Sequence, residues 1–265
     1  MKLPTIKSAI IAGGLALGAS SAYAGDALTV VSWGGAYTKS QIEAYHKPYT
    51  AKYGTKIQSE DYNGGLAEIR AQVEAGKITW DVVDLEVSDA ARGCDDGLFE
   101  KISAGSLPNG VNGALPSKDF IPGALQECAV GTIVWSTIYA YDADKYKSKK
   151  PTTISDFFDV KKFPGKRGMR KVPKVNLEWA LMADGVDGKD VYKVLATKAG
   201  QDRAFKKLDT IKNDVLWWEA GAQPPQMLAD GEVVMTSAYN GRIFNAAVTE
   251  KKNFEIVWDR QLFSF

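Results

Sequence analysis

The stretch "TSAYNGR", Thr236 to Arg242, follows the apolar run Val233-Val234-Met235 and ends on a guanidinium. Strand ends in α/β proteins are where small molecules are met. Arg242 is therefore either a ligand contact or a surface charge. Its planar fork of donors matches a carboxylate. Aromatic residues gather at similar places. Trp33 stands beside Gly34-Gly35 with Tyr37 close by, Trp135 lies in a long apolar run, and Trp217-Trp218-Glu219 forms a second cluster. Tyr239 stands three residues before Arg242. Aromatic walls with a few charges at the rim hold small organic cations or zwitterions, through cation–π attraction and apolar contact. The alternative reading makes the same tryptophans core residues.

Catalytic chemistry finds little support. The single histidine, His46, falls mid-helix between Tyr45 and Lys47 and reads as a partly solvated surface group. Past the leader there is no GxSxG elbow, HExxH helix or GxxxxGK loop. Asp84 and Glu86 would share one side of a strand running from Trp80 to Val87. An exported α/β hydrolase could use that pair, but no nucleophile or base completes it. The chain reads as a non-enzyme without cofactor, and its histidine and cysteine are too few for a zinc cage. Cys94 and Cys128 are either a disulfide, as an oxidising compartment favours, or two buried thiols.

The elements that must position these residues follow from the patterning. Lys2 and Lys7, the small apolar stretch Ile10 to Ala19 and the small-x-small Ala22-Tyr23-Ala24 form a secretory signal peptide over residues 1–24. Cleavage near Ala24 would deliver the product to a bacterial periplasm. The leader holds two of the 33 basic residues and none of the 32 acidic ones, so the remainder is near neutral. Neutrality argues against nucleic acid or an anionic membrane as partner. No later segment is apolar enough to span a bilayer, and the remaining length suits two modest cores rather than one.

Strands are expected over Leu28 to Ser32, Lys56 to Tyr62 and Trp80 to Val87. Helices are expected over Thr38 to Tyr53 and from Leu66 to Gly76. That alternation calls for a parallel sheet flanked by helices. Ala129 to Tyr141 is an apolar run long enough to leave one lobe and enter another. Beyond it, Ile154 to Phe158, Leu177 to Met182, Asp202 to Ile211 and Gln226 to Ala229 read as helices, and Glu232 to Ala238 and Phe254 to Trp258 as strands. The chain stops at Phe265 directly after a strand, which reads as an absent C-terminal part.

Six segments occur in a familiar order: "LTVVSWGGAYTKSQIEAY", "WDVVDLEVS", "CAVGTIVWSTIYAYD", "FPGKRG", "MLADGEVVMTSAYNGRIFNA" and the leader before them. With these the chain resembles the spermidine/putrescine-type periplasmic substrate-binding proteins of ABC importers. The resemblance implies an α/β fold of two lobes (type II-like), each a mixed, mostly parallel sheet flanked by helices. Lobe 1 would span 25–138, lobe 2 139–255, and 256–265 would return toward lobe 1. It implies a monomer that traps a solute between the lobes and delivers it to an inner-membrane permease.

Within the resemblance Trp33 matches the aromatic that walls one side of the polyamine site, with Tyr37 nearby. Glu86 and Ser88 fall at a lobe 1 strand end, and Tyr239 matches a tryptophan on the opposite wall. Where the family has a W-x-G-acid element, this chain reads Tyr239-Asn240-Gly241-Arg242. Near the second-lobe turn, acids give way to Arg170, Pro173, Lys174 and Val175. A cationic pocket opposes a polyamine and favours a carboxylate. The expected solute is thus a zwitterionic ω-amino acid such as γ-aminobutyrate. Arg242 would hold its carboxylate with help from Arg170, Glu86 or Asp259 would take its ammonium, and Trp33 and Tyr239 would pack its methylenes, with Trp218 a further ligand-binding residue. A diamine remains the alternative cargo.

Overall fold

The computed structural model describes residues 27–264. The signal-peptide reading and Phe265 lie outside the described residues. Two sheets organise the chain. The smaller, in the order β2-β1-β3, pairs β1 (Leu28–Ser32) in parallel with β2 (Ile57–Asp61) and β3 (Val82–Val83). The larger has the order β6-β5-β7-β4-β8, built from β4 (Trp135–Asp142), β5 (Arg167–Arg170), β6 (Val215–Trp218), β7 (Met235–Tyr239) and β8 (Phe254–Ser264). β5 runs parallel to β6 and β7, whereas β4 runs antiparallel to β7 and β8. The α/β class and its parallel strands are as expected from the strand–helix alternation. Among the described residues no helix is long and apolar enough to cross a membrane.

Period-two alternation along β4 loads both faces of the larger sheet. Tyr139 and Tyr141 pack with Phe157, Met169, Trp179 and Met235, while Ile138 and Ala140 pack with Trp218, Leu228, Val233 and Ile243 on the other face. The smaller sheet buries Val31, Leu66, Ile69 and Ala90 under its helices. The expected boundary at 138/139 falls inside β4, and the whole of β8 lies in the same sheet as β4.

Several expectations are corrected. The third strand stops at Val83, because the following residues serve other partners: the Asp84 carbonyl accepts from the Tyr62 hydroxyl, and Glu86 is the extended N-cap of the helix Val87–Asp95. Asp84 and Glu86 therefore do not share a strand face. The long run from Ala129 is not one strand. It folds back on Ala124 at Gly131, with Gly131 N donating to the Ala124 carbonyl, and pairs only from Trp135. β5 is four residues with two charges and β6 only four residues, too little for either to stand out in sequence. Yet Arg167 of β5 is fully buried, its guanidinium donating to the carbonyls of Phe157, Gly165, Asp159 and Phe163. His46 is buried rather than solvated. It sits on the π-helical turn Ile42–His46 with Nδ1 3.1 Å from Ser59 Oγ, and burial lowers its pKa.

Cys94 and Cys128 are joined in a disulfide. It ties the helix Val87–Asp95 to the loop that precedes β4.

Candidate functional site

Five parallel strands from the two sheets deliver their carboxyl ends to one region, the place where α/β sheets meet ligands. Trp33 directly follows β1, and Glu86 begins the helix after β3. Arg170, Trp218 and Tyr239 are the last residues of β5, β6 and β7. Because β4 runs the other way, its first residue, Trp135, arrives at the same edge, opposite Ser264 of β8.

Arg170 is at the centre. Its Nη1 donates to Glu86 Oε1 at 2.7 Å and its Nη2 to the Asn63 carbonyl at 3.2 Å, so it crosses from the larger sheet to the smaller. Its guanidinium carbon lies 5.9 Å from the ring centroids of both Trp33 and Tyr239, within cation–π range of each. Lys174 Nζ donates to Glu86 Oε2 at 2.7 Å and to Ser88 Oγ at 2.8 Å. Burial pushes the Glu86 carboxyl upward, but the hydrogen bonds and charges of Lys174 and Arg170 overcome it and hold the group below its usual range. Glu86 thus faces two cations, and Lys174 also pairs with Asp89 Oδ2 at 3.6 Å.

The aromatic walls form a box. Tyr239 meets Trp135 edge-on at 4.9 Å and Trp218 edge-on at 5.7 Å. Burial, partly offset by Arg170, pushes the Tyr239 phenol up to about 12. Trp33 packs against Tyr62 at 5.2 Å with the rings tilted by 42°. Gly64, at φ +90°, makes room for it: a Cβ there would stand 2.7 Å from the indole edge.

Against the Tyr239, Trp135 and Trp218 wall lies a cavity of ≈ 150 Å³, lined among others by Glu86, Arg170, Asn176, Glu178 and Ser237. Three residues of its lining, Asn176, Trp218 and Ser237, each hold a deeply buried polar atom, Oδ1, Nε1 and Oγ respectively, that has no hydrogen-bond partner among the described residues. Buried polar groups are almost always satisfied, and each left open points to something that completes it.

The site residues expected from sequence divide into two groups. Trp33, Glu86, Ser88, Arg170, Trp218 and Tyr239 come together. Arg242 is buried and points across to the smaller sheet, where its Nη2 donates to the Trp33 carbonyl at 2.7 Å. It borders the Gly34-Gly35 turn and is not among the residues lining the cavity: a Cβ on Gly35 would stand 2.9 Å from Arg242 Nη1. It lies within the short helix Asn240–Phe244 that follows β7. Tyr37 turns to Thr132 and Asp84, and burial with the Asp84 charge pushes its phenol up to about 12.

Asp259 is not in the cleft. Its Oδ2 accepts from Ile154 N at 2.8 Å at the start of the helix Ile154–Phe158. As for the hydrolase pair, Asp84 accepts from Ser32 and Gln41, and Glu86 is held by its two cations. Neither carboxylate is placed as a general acid or base.

Sequence reasoning missed Asn176, Glu178, Ser237 and the part of Trp135. The signal for the first two was the helix start itself. Asn176–Ala183 follows the β5 strand end, so its first turn must lie at the ligand edge.

Residues 44–264 match the family described as bacterial extracellular solute-binding protein. The γ-aminobutyric acid-binding protein of Pseudomonas aeruginosa is 47% identical over 250 residues, covering 94% of this chain and 68% of that protein. Among solved structures, the periplasmic binding protein MotA of A. tumefaciens in complex with glucopine is 31% identical with a TM-score of 0.81, over 90% of this chain and 71% of that one. A solved γ-aminobutyrate (GABA) receptor is 33% identical with a TM-score of 0.74, over 90% of this chain and 70% of that one.

Proposed function

The chain belongs to the bacterial extracellular solute-binding protein family, and on that premise we propose that it captures a zwitterionic ω-amino acid of the γ-aminobutyrate type. The observation that carries this reading is the placement of Arg170: a guanidinium on the cavity wall, between Trp33 and Tyr239, with donors left beyond those given to Glu86 and Asn63. It takes the solute's carboxylate, and the open Trp218 Nε1–H donates to the same end. Tyr239, Trp218 and Trp135 pack the methylenes. Arg242, first expected to grip the carboxylate, acts at one remove by holding the Trp33 carbonyl.

A diamine is disfavoured on charge. Two like charges 4 Å apart repel by about 4 kcal/mol at an effective dielectric of 20; Arg170 and Lys174 line the cavity together with Glu86 and Glu178, so the lining is neutral and a dication leaves it charged. The names of the relatives above, one binding γ-aminobutyric acid and one a GABA receptor, support the same class. In this reading the protein is exported by the leader cleaved near Ala24, works in the periplasm as a monomer, and hands its cargo to an inner-membrane ABC permease.

A thermal-unfolding panel of γ-aminobutyrate, shorter and longer ω-amino acids, putrescine and spermidine tests the cargo. A ligand at about 100 times its dissociation constant adds roughly 2.7 kcal/mol of stability. Stabilisation by the amino acids supports the assignment; stabilisation by the diamines alone overturns it.

A further inference from the structure

Glu178 lies in the first turn of the helix Asn176–Ala183 and lines both the cavity described above and an adjoining one of ≈ 310 Å³. Lys174, whose charge reaches Glu178, is hydrogen-bonded to Glu86 and Ser88 instead. Among the described residues, no lysine or arginine forms an ion pair with it. A half-buried carboxylate without a cation is costly, and one facing a binding cavity offers its charge to whatever enters.

Asn176 and Ser237 line the same cavity, and each holds a deeply buried oxygen with no partner among the described residues. Asn176 Nδ2 donates at 2.7 Å to both the Arg170 and the Val172 carbonyls, which fixes the amide and leaves Oδ1 unpartnered. Ser237 Oγ, on the face of β7 opposite Tyr139, is likewise unpartnered. A primary ammonium presents three donors and no acceptor. One carboxylate and two neutral oxygens match that demand.

We infer that Glu178, Asn176 Oδ1 and Ser237 Oγ form the subsite for the solute's ammonium group. The inference rests on the zwitterion reading above and deepens it. Arg170 and Lys174 outweigh Glu86 by one positive charge, Glu178 supplies one negative charge, and the lining is neutral overall. A dipolar molecule leaves it neutral; a dication or a simple anion does not. The ammonium is thereby assigned to the larger lobe, not to Glu86 or Asp259. Asn176 also links the two ends, since its amide holds the backbone of Arg170 while its oxygen faces the amine.

The state of Glu178 supplies a second readout. Burial raises its pKa above the usual carboxylate value, only partly offset by backbone amides and Lys174. The other charged or titratable groups lining the two cavities are Glu86, Arg170, Lys174, Arg260, Tyr192 and Tyr239. Of these only Glu86 is a carboxylate, and its cations hold it low, so the two acids titrate apart.

The test is calorimetric titration of the full chain and its Glu178→Gln and Ser237→Ala variants with γ-aminobutyrate and with butyrate, from pH 8 down through the carboxylate range. Glu178→Gln is expected to weaken γ-aminobutyrate about 10- to 100-fold, with butyrate little changed, and Ser237→Ala to weaken γ-aminobutyrate by a smaller factor. Wild-type affinity for γ-aminobutyrate should fall as the pH drops through the raised Glu178 value, and the Gln variant should be flat there. Unchanged γ-aminobutyrate affinity in Glu178→Gln, or equal loss of both ligands, overturns the subsite while leaving the zwitterion reading intact. A wild-type chain that binds no ω-amino acid overturns both.

Discussion

Glu86 and Arg170 meet at 2.7 Å with 13% and 15% of their side chains exposed. One stands after β3 of the smaller sheet and the other ends β5 of the larger, so this ion pair spans the gap between the two sheets. Lys174, from the same side as Arg170, bonds the other carboxylate oxygen. One acid shared by two cations holds the gap together, and the Arg170 guanidinium keeps donors beyond those given to Glu86 and Asn63 for a carboxylate ligand.

Glu86→Gln keeps the shape and removes the charge. Stability at pH 7 should fall by about 1–3 kcal/mol, the range for hydrogen bonds to charged groups left without their partner. Urea denaturation of both forms measures it. The folded-state pKa of Glu86 is lowered, so its contribution is present above the ordinary carboxylate value and is lost as pH falls through the lowered one. The gap between wild type and variant should therefore close in acid, below about pH 4. A gap constant across that window would contradict the cause assigned here.

Arg170→Lys preserves a positive charge but not the fork or its flat fit between Trp33 and Tyr239. Affinity for γ-aminobutyrate should drop about 10- to 100-fold, because a lysine cannot make the paired hydrogen bonds of a guanidinium. Equal affinity in the two proteins would mean that the carboxylate is held elsewhere.

Arg167 serves the fold alone. It is fully buried and holds the turn "FPGKRG" through backbone carbonyls. Arg167→Met strands those carbonyls in the core and should cost about 3 kcal/mol or more. Any Arg167→Met protein that folds should keep the ligand preference of the wild type. A changed order among γ-aminobutyrate and its longer and shorter homologues would give Arg167 a part in the site.

Reducing the Cys94–Cys128 bond frees a loop with a sequence separation of 34. In the chain-entropy model the loss is about 3–4 kcal/mol. Chemical unfolding with and without dithiothreitol measures it, and Cys94→Ala with Cys128→Ala should reproduce the reduced curve.

The chain's residue types already established much of this. Alternating short strands and capped helices dictate parallel α/β layers, since a parallel sheet must cover both faces. Trp33, Glu86, Ser88, Arg170, Trp218 and Tyr239 could be picked out because aromatic and charged residues beside strand ends stand out in one dimension. What the linear order could not decide is direction. Arg170 and Arg242 look alike in sequence, yet only the packing of β5 beside β7 sends Arg170 between two rings while Arg242 reaches for a backbone carbonyl. Asp259 looked available until the larger sheet set it against the Ile154 amide. Asn176, Glu178 and Ser237 look ordinary along the chain. They acquire a shared role because β5, β7 and the helix after β5 meet at one edge, and contacts between residues tens of positions apart arise only when both sheets have formed.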